Sequence, residues 1–207
     1  MKRYAFIDAQ NTASTTQRMC GFVIDWAKLC ALLKDKKRWN CDRIYLYSGI
    51  EIGDTTTAEG FAALDHDHGC VVRTKTIMAY KNPDKTIPYK CPNCNTDGVK
   101  VIDMGYRKKS NCDVELTIDA MELMNRNTDL MIFTADGDFE CLMRKALNKG
   151  ATVKIVSHPK RYVNKAGQIQ TRFSKRLREL VADHPESVAI IDIARWKELI
   201  KKDIDAL

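Results

Sequence analysis

Apolar positions along the 207-residue chain alternate between short continuous runs and helically spaced sets. Tyr4 to Ile7 is an apolar run of strand length that ends on Asp8. Arg43 to Tyr47, Cys70 to Met78, Leu130 to Phe133, Thr152 to Val156 and Val188 to Ile193 have the same form. Between these runs the period changes to that of a helix. Phe22, Val23, Trp26, Leu29, Cys30 and Leu33 predict one helix. Thr55 to His68 predicts another, with Phe61 and Leu64 inward and Gly69 as its stop. From Asp113, the residues Val114, Thr117, Ile118, Met121 and Met124 share a face. Phe139, Leu142, Met143, Ala146 and Leu147 mark a helix over 137–149, with Gly150 just past it. Ser174 is placed to cap a helix running to about Ala182, and Trp196, Leu199, Ile200 and Ile204 predict a closing helix. Ala9 to Asn11 reads as a polar turn and Thr12 to Arg18 as a loop without periodicity. Strands alternating with helices imply βαβ units around a parallel sheet.

One segment breaks the rhythm. Residues 80–110 are rich in turn formers (Asn82, Pro83, Pro88, Pro92, Gly98) and hold one strand-like run, Val99 to Ile102. They read as an insertion, a β-hairpin projecting from a single domain over 1–207, with a strand and helix extension over about 185–207. That size and a hydrophobic content of 44% suffice for a sizeable core. No apolar run approaches membrane-spanning length. The first strand-like run starts so early that no leader peptide is expected, so the reading is cytoplasmic, with no membrane partner. The eight cysteines are then expected to be reduced or metal-bound rather than paired in disulfides.

The candidate chemistry sits where strands stop. In a doubly wound sheet each helix begins at the edge where the preceding strand ends, which is where ligands bind. Asp8 ends the first strand, Asp113 opens a helix, and Asp136 and Asp138 follow the run Leu130 to Phe133. An Asp at such a turn can simply cap the next helix. Four acids on one edge instead repel each other unless a cation lies among them. Hard oxygen donors with several waters suit Mg²⁺ or Mn²⁺, and such a centre supports metal-assisted hydrolysis.

Three blocks also carry a resemblance: FIDAQN at 6–11, KKSNCDVELTIDA at 108–120 and TADGDF at 134–139. In order and spacing they resemble the signature blocks of the NYN domain, a PIN-like fold related to FLAP nucleases, and above all its LabA-like (DUF88) branch. The resemblance implies a three-layer αβα sandwich with a mainly parallel, Rossmann-like sheet and a metal-dependent ribonuclease activity. It assigns metal binding and catalysis to Asp8, Asp113, Asp136 and Asp138, and substrate contact to Asn11 and Lys109. Asp119 also matches a family acid. It lies about 9 Å further along the helix than Asp113 and about 120° round from it, so its expected role is supporting. Two departures stand out: Ala135 replaces the usual Gly, and the approach to Asp113 is one residue longer than usual.

Charge adds a partner. The net charge is +7, and the excess falls in two acid-poor stretches. Residues 73–109 hold nine Lys or Arg against three acids, interleaved with Tyr80, Tyr89 and Tyr106; residues 160–178 hold seven and no acid. Basic side chains near an acidic metal edge suit an RNA substrate, although a charge run is often just a solvated face. Cys91-Pro92-Asn93-Cys94 has the spacing of half a zinc site. It reads as structural Zn²⁺ completed by distant residues or by a second chain in a homodimer, as a ribbon that has lost half its ligands, or as a redox dithiol. The sequence thus points to an RNA-cleaving enzyme with Mg²⁺ or Mn²⁺. The alternative is an RNA-binding or regulatory module that keeps the fold without cleaving.

Overall fold

The computed structural model describes residues 1–110, 112–163, 167 and 169–203, with the side chains of residues 108, 109, 162, 163, 169 and 170 outside the description. The chain begins with β1 (Lys2–Asp8), α1 (Ala9–Thr15), α2 (Trp26–Lys34), β2 (Arg43–Ile50), α3 (Thr55–His68) and β3 (Cys70–Thr76). Two antiparallel pairs follow: β4 (Met78–Lys81) with β7 (Tyr106–Lys109), and between them β5 (Lys85–Lys90) with β6 (Asp97–Ile102). The remainder comprises α4 (Asp113–Leu123), β8 (Thr128–Phe133), α5 (Glu140–Asn148), β9 (Thr152–Ser157) and the small pair β10 (Tyr162–Val163) and β11 (Ile169–Gln170). It ends with α6 (Lys175–Asp183), β12 (Val188–Asp192) and α7 (Lys197–Ile200).

Six strands form one sheet in the order β12-β9-β8-β1-β2-β3, and every pairing in it is parallel. A strand buried on both faces needs apolar side chains at every position, and β8 is buried from Thr128 to Phe133. Its alternate residues serve two cores. Leu130 and Ile132 join Tyr4, Phe6, Tyr45, Val153 and Ile155 beneath α4, α5 and α6. Met131 and Phe133 join Ala5, Ile7, Ile44, Leu46 and Val156 beneath α2, α3 and α7. The result is a three-layer αβα sandwich.

Asp129 anchors the amino edge of that sheet. It is 0% exposed and accepts from Arg3 Nε at 2.6 Å, from Lys154 Nζ at 2.6 Å on both oxygens, and from Thr152 Oγ1 at 3.0 Å. Burial raises its pKa, but the Lys154 and Arg3 hydrogen bonds outweigh that and hold the carboxyl below its usual range. A single strand therefore carries a neutralised carboxylate at its start and Asp136 just beyond its end.

The structure departs from the expectations in three places. Residues 9–20 are helical: α1 is followed directly by a π-turn over Thr16–Cys20. The apolar pattern missed this because, apart from Ala9, the buried side chains are Thr12, Thr15 and Thr16. The Thr12 hydroxyl donates to the Asp8 carbonyl at 2.6 Å, and that of Thr16 to Ala13 at 3.1 Å. In consequence α2 starts only at Trp26, behind an Asp25 cap. On α4 the buried face is Leu116, Asp119, Ala120 and Met124, while Val114, Ile118 and Met121 are exposed. The closing helix has only four α-helical residues after a 3-10 turn at Ile193–Trp196. It buries Trp196 and Ile200 but leaves Leu199 exposed, and Ile204 lies outside the described residues. Among the described residues no helix is long and apolar enough to cross a membrane.

Candidate functional site

The carboxyl ends of β1 and β8 lie side by side, and both open into polar turns. Asp8 caps α1 by accepting from the Asn11 amide at 3.0 Å. Asn11 in turn accepts from the Ala135 amide at 2.9 Å through Oδ1, tying the turn after β1 to the one after β8. Thr12 Oγ1 reaches the Phe133 carbonyl at 3.3 Å and closes the same junction. Beyond β8, Asp136 accepts from the Asp138 amide at 3.0 Å and so caps a 3-10 turn over Gly137–Phe139. Asp113 is the first residue of α4.

Asp8, Asp113 and Asp136 line one cavity of about 560 Å³, together with Asn11. Burial pushes the Asp8 carboxyl up to about 6. The Asn11 amide opposes the shift, while the charges of Asp113 and Asp136 reinforce it. Two arginines line the same cavity: Arg18 from the π-turn and Arg172 from the loop before α6. Ser110 Oγ also lines it, buried and without a hydrogen-bond partner among the described residues.

Asp138 is elsewhere. Its side chain is 79% exposed and stands 3.9 Å from Arg176, outside the cavity lining. Asp119 is buried and occupied: it accepts from the Tyr47 hydroxyl at 2.7 Å and from Arg73 Nε and Nη2 at 2.5 and 2.8 Å. Burial and the Asp119 bond push the Tyr47 phenol up, so it stays a proton donor. This bridge joins β2, β3 and α4 behind the cavity. Lys109 belongs to β7, but its side chain lies outside the described residues. Cys91 and Cys94 occupy the turn between β5 and β6, separate from the cavity lining.

Sequence reading missed Arg18, Ser110 and Gly49. Arg18 was hidden by the unrecognised helical segment. Gly49 falls inside β2, just past the apolar run Arg43 to Tyr47. A Cβ there would stand 2.5 Å from Ser110 Cβ and 2.8 Å from Gln10 Nε2, so the cleft wall is in van der Waals contact at that point. Other side chains have packing roles. Trp39 lies 5.2 Å from Trp196, Cys30 and Cys41 fill the core, and His66 is exposed at the end of α3. Cys141 is exposed on the outer face of α5.

An all-oxygen donor set, a carboxyl pushed up by burial and further by its anionic neighbours, and an unpartnered serine hydroxyl together fit Mg²⁺ or Mn²⁺. Among the described residues no three Asp, Glu, His or Cys side chains are close enough to hold one ion between them. The fit is therefore to an ion that keeps part of its water shell, as Mg²⁺ commonly does.

The comparisons agree with this layout. The crystal structure of VPA0982, a protein of unknown function from Vibrio parahaemolyticus, is similar over 93% of this chain and 94% of its own, with a TM-score of 0.56 and 16% identity. The low amplitude and bright protein LabA of Synechococcus elongatus is 22% identical over 152 residues, which cover 73% of this chain and 71% of LabA. The NYN domain model matches residues 3–174, from β1 through all three acids to the start of α6. The chain belongs to the NYN domain family, whose members are generally nucleases.

Proposed function

We propose that the chain is a metal-dependent ribonuclease that hydrolyses RNA phosphodiester bonds in the cleft between β1, β8 and α4. One observation carries the reading: carboxylates from three separate elements line one cavity with two arginines, and burial beside the other two acids pushes Asp8 up to about 6. Asp8, Asp113 and Asp136 would hold Mg²⁺ or Mn²⁺, which when bound supplies a water of lowered pKa and neutralises charge on phosphate. Arg18 and Arg172 pair with the phosphate oxygens and take up the charge that develops in the transition state. Asn11, with its carbonyl oxygen committed to Ala135, keeps the turns of Asp8 and Asp136 in register. Asp119, held by Tyr47 and Arg73, fixes α4 and with it Asp113. Asp138 makes its contribution through the turn backbone and Arg176 rather than from the cavity wall. At the base of the insertion Arg107, Lys108 and Lys109 lie in β7, which holds no acid, and supply a track for the RNA backbone, whereas Arg73 and Lys75 in β3 are paired with Asp119 and Glu115.

The test is cleavage of a structured and an unstructured RNA with Mn²⁺, comparing wild type with Asp136→Asn. Metal-dependent cleavage lost in the variant is expected; equal rates from both proteins would overturn the assignment. The second reading is an RNA-binding module that keeps the fold without cleavage. Calorimetric titration with Mn²⁺ separates the two. The nuclease reading requires a binding site that Asp136→Asn removes, and the binding module requires none.

A further inference from the structure

The outer ribbon, β5 and β6 with the turn between them, stands apart from the acidic cleft and is built around two thiols. The Cys91 amide donates to the Thr96 carbonyl and the Asn95 amide to the Cys91 carbonyl, both at 2.9 Å. Asn95 adopts a left-handed φ of 59°, which lets the turn close. The Cys94 thiol is exposed and Cys91 half-buried. Two neighbouring thiols on one tight turn form a chelating pair, and structural zinc takes four ligands. All eight cysteines and all four histidines of the chain are among the described residues. Even so, among the described residues no third Cys, His, Asp or Glu joins the pair. Cys30, Cys41 and Cys70 are committed to the core beneath α2 and α3.

Charge and surface indicate what completes the set. The basic excess of the insertion lies wholly at its base. The outer part is balanced, Lys85, Lys90 and Lys100 against Asp84, Asp97 and Asp103, with Lys90 3.7 Å from Asp97. Such a ribbon has no net attraction for a polyanion. It does present apolar surface: the register sets Pro88 opposite Val99 and Thr86 opposite Val101, on one face, with Val99 and Val101 64% and 61% exposed. A lone two-stranded ribbon with its apolar side chains in water is marginally stable.

We propose that the 91–94 turn is half of a structural zinc site, completed by the same two thiolates of a second copy of this chain. One Zn²⁺ then clamps two ribbons tip to tip. A two-fold axis through the ion supplies identical pairs from both chains, the isologous arrangement by which most dimers close. Binding releases the thiol protons to solvent. Four thiolates on Zn²⁺ leave a net negative charge at the ribbon tip. Packing of Val99 and Val101 against the partner ribbon removes their side chains from water. The site is independent of the cleft and of the chemistry proposed there.

The test uses the full chain carrying Asp136→Asn, so that the cleft does not contribute metal, kept reduced and loaded with zinc chloride. Zinc content is read by atomic emission and mass by light scattering. The expected result is about one zinc per two chains and a doubled mass that returns to the monomer on chelation. Adding Cys94→Ser should abolish both the zinc and the dimer, whereas adding Cys141→Ser should change neither. Cobalt(II) in place of zinc should give the tetrahedral thiolate spectrum, a readout that does not depend on mass. A monomer holding one zinc, a protein retaining no zinc, or a dimer that survives chelation would each overturn the proposal.

Discussion

Asp8 and Asp129 are carboxylates on adjacent strands whose environments drive them in opposite directions. Asp8 is pushed up to about 6 by burial and by Asp113 and Asp136, so the folded state holds its proton while the unfolded carboxyl, near 3.9, has released it. Its contribution is therefore favourable at low pH and is lost as pH rises from about 4 to about 6. In EDTA at pH 8, Asp8→Asn should stabilise the protein by about 1–3 kcal/mol, since Asn can keep the cap to the Asn11 amide. A melting temperature higher by about 2–4 °C per kcal/mol, in a protein that no longer cleaves RNA, is the expected result. Added Mn²⁺ should raise the melting temperature of wild type alone. Asp129 has the reverse sign. Lys154 and Arg3 hold its pKa below the unfolded value, so its stabilisation is complete above about 4 and is lost as pH falls through the folded value. Asp129→Asn leaves two half-buried cationic partners without a counter-charge and should cost about 3 kcal/mol at pH 7, the low end for a buried pair. Urea titration at pH 7 measures that loss. The same titration carried toward pH 3 should show a shallower acid limb in the variant than in wild type.

Much of this was legible at the level of elements, and the exceptions have physical causes. β1, β2, β8 and β9 are parallel strands largely buried on both faces, so their apolar runs stand out in the sequence, and the edge strand β12 is apolar although only half-buried. The acids at their ends were found because several converge on one sheet edge, since a single one can simply cap its helix, as Asp192 does. Residues 9–20 were unreadable because three buried threonines replace the apolar stripe, two of them, Thr12 and Thr16, paired to backbone carbonyls. Arg18 was lost with them. On α4 the helix was right and its face wrong. Val114, Ile118 and Met121 repeat at helical spacing, but the core takes the neighbouring stripe because Asp119 must reach Tyr47 and Arg73. The junction of the β8 turn with α6 involves residues far apart in sequence and could not be anticipated. A Cβ at Gly137 would meet Ser174 Oγ and stand 3.1 Å from Ser174 Cβ, while the Ser174 amide is held by the Ala135 carbonyl at 3.0 Å. Gly137→Ala should thus push α6 off the turn that carries Asp136, costing about 1–3 kcal/mol. Ser174 makes no side-chain cap bond, so Ser174→Ala alone should be mild. The double variant should recover much of the loss, and a double-mutant cycle in urea would read the coupling. Additive losses would place the strain elsewhere.

At the scale of the whole molecule the insertion divides into two parts with different physics. Its base, β4 with β7, continues from β3 and concentrates basic residues; its outer ribbon is neutral, apolar and tipped with thiols. The two parts meet where the Asn82 amide donates to the Gly105 carbonyl at 2.9 Å, so the chain ends there are already adjacent. Residues 83–104 can therefore be replaced by a short turn without stretching the backbone. Every residue of β5 is exposed, so the excision removes no buried core and the melting temperature should change little. The excised protein should bind RNA with the salt dependence of the parent, because the lost segment carries no net charge. Arg107→Ala at the base should instead lower the slope of log affinity against log salt by roughly 0.7 for a single-stranded RNA. Salt titrations of RNA binding on the three proteins distinguish the two regions. Should the excision flatten the slope and Arg107→Ala leave it unchanged, the RNA track would run along the outer ribbon, and the division of labour drawn from its charge balance would be wrong.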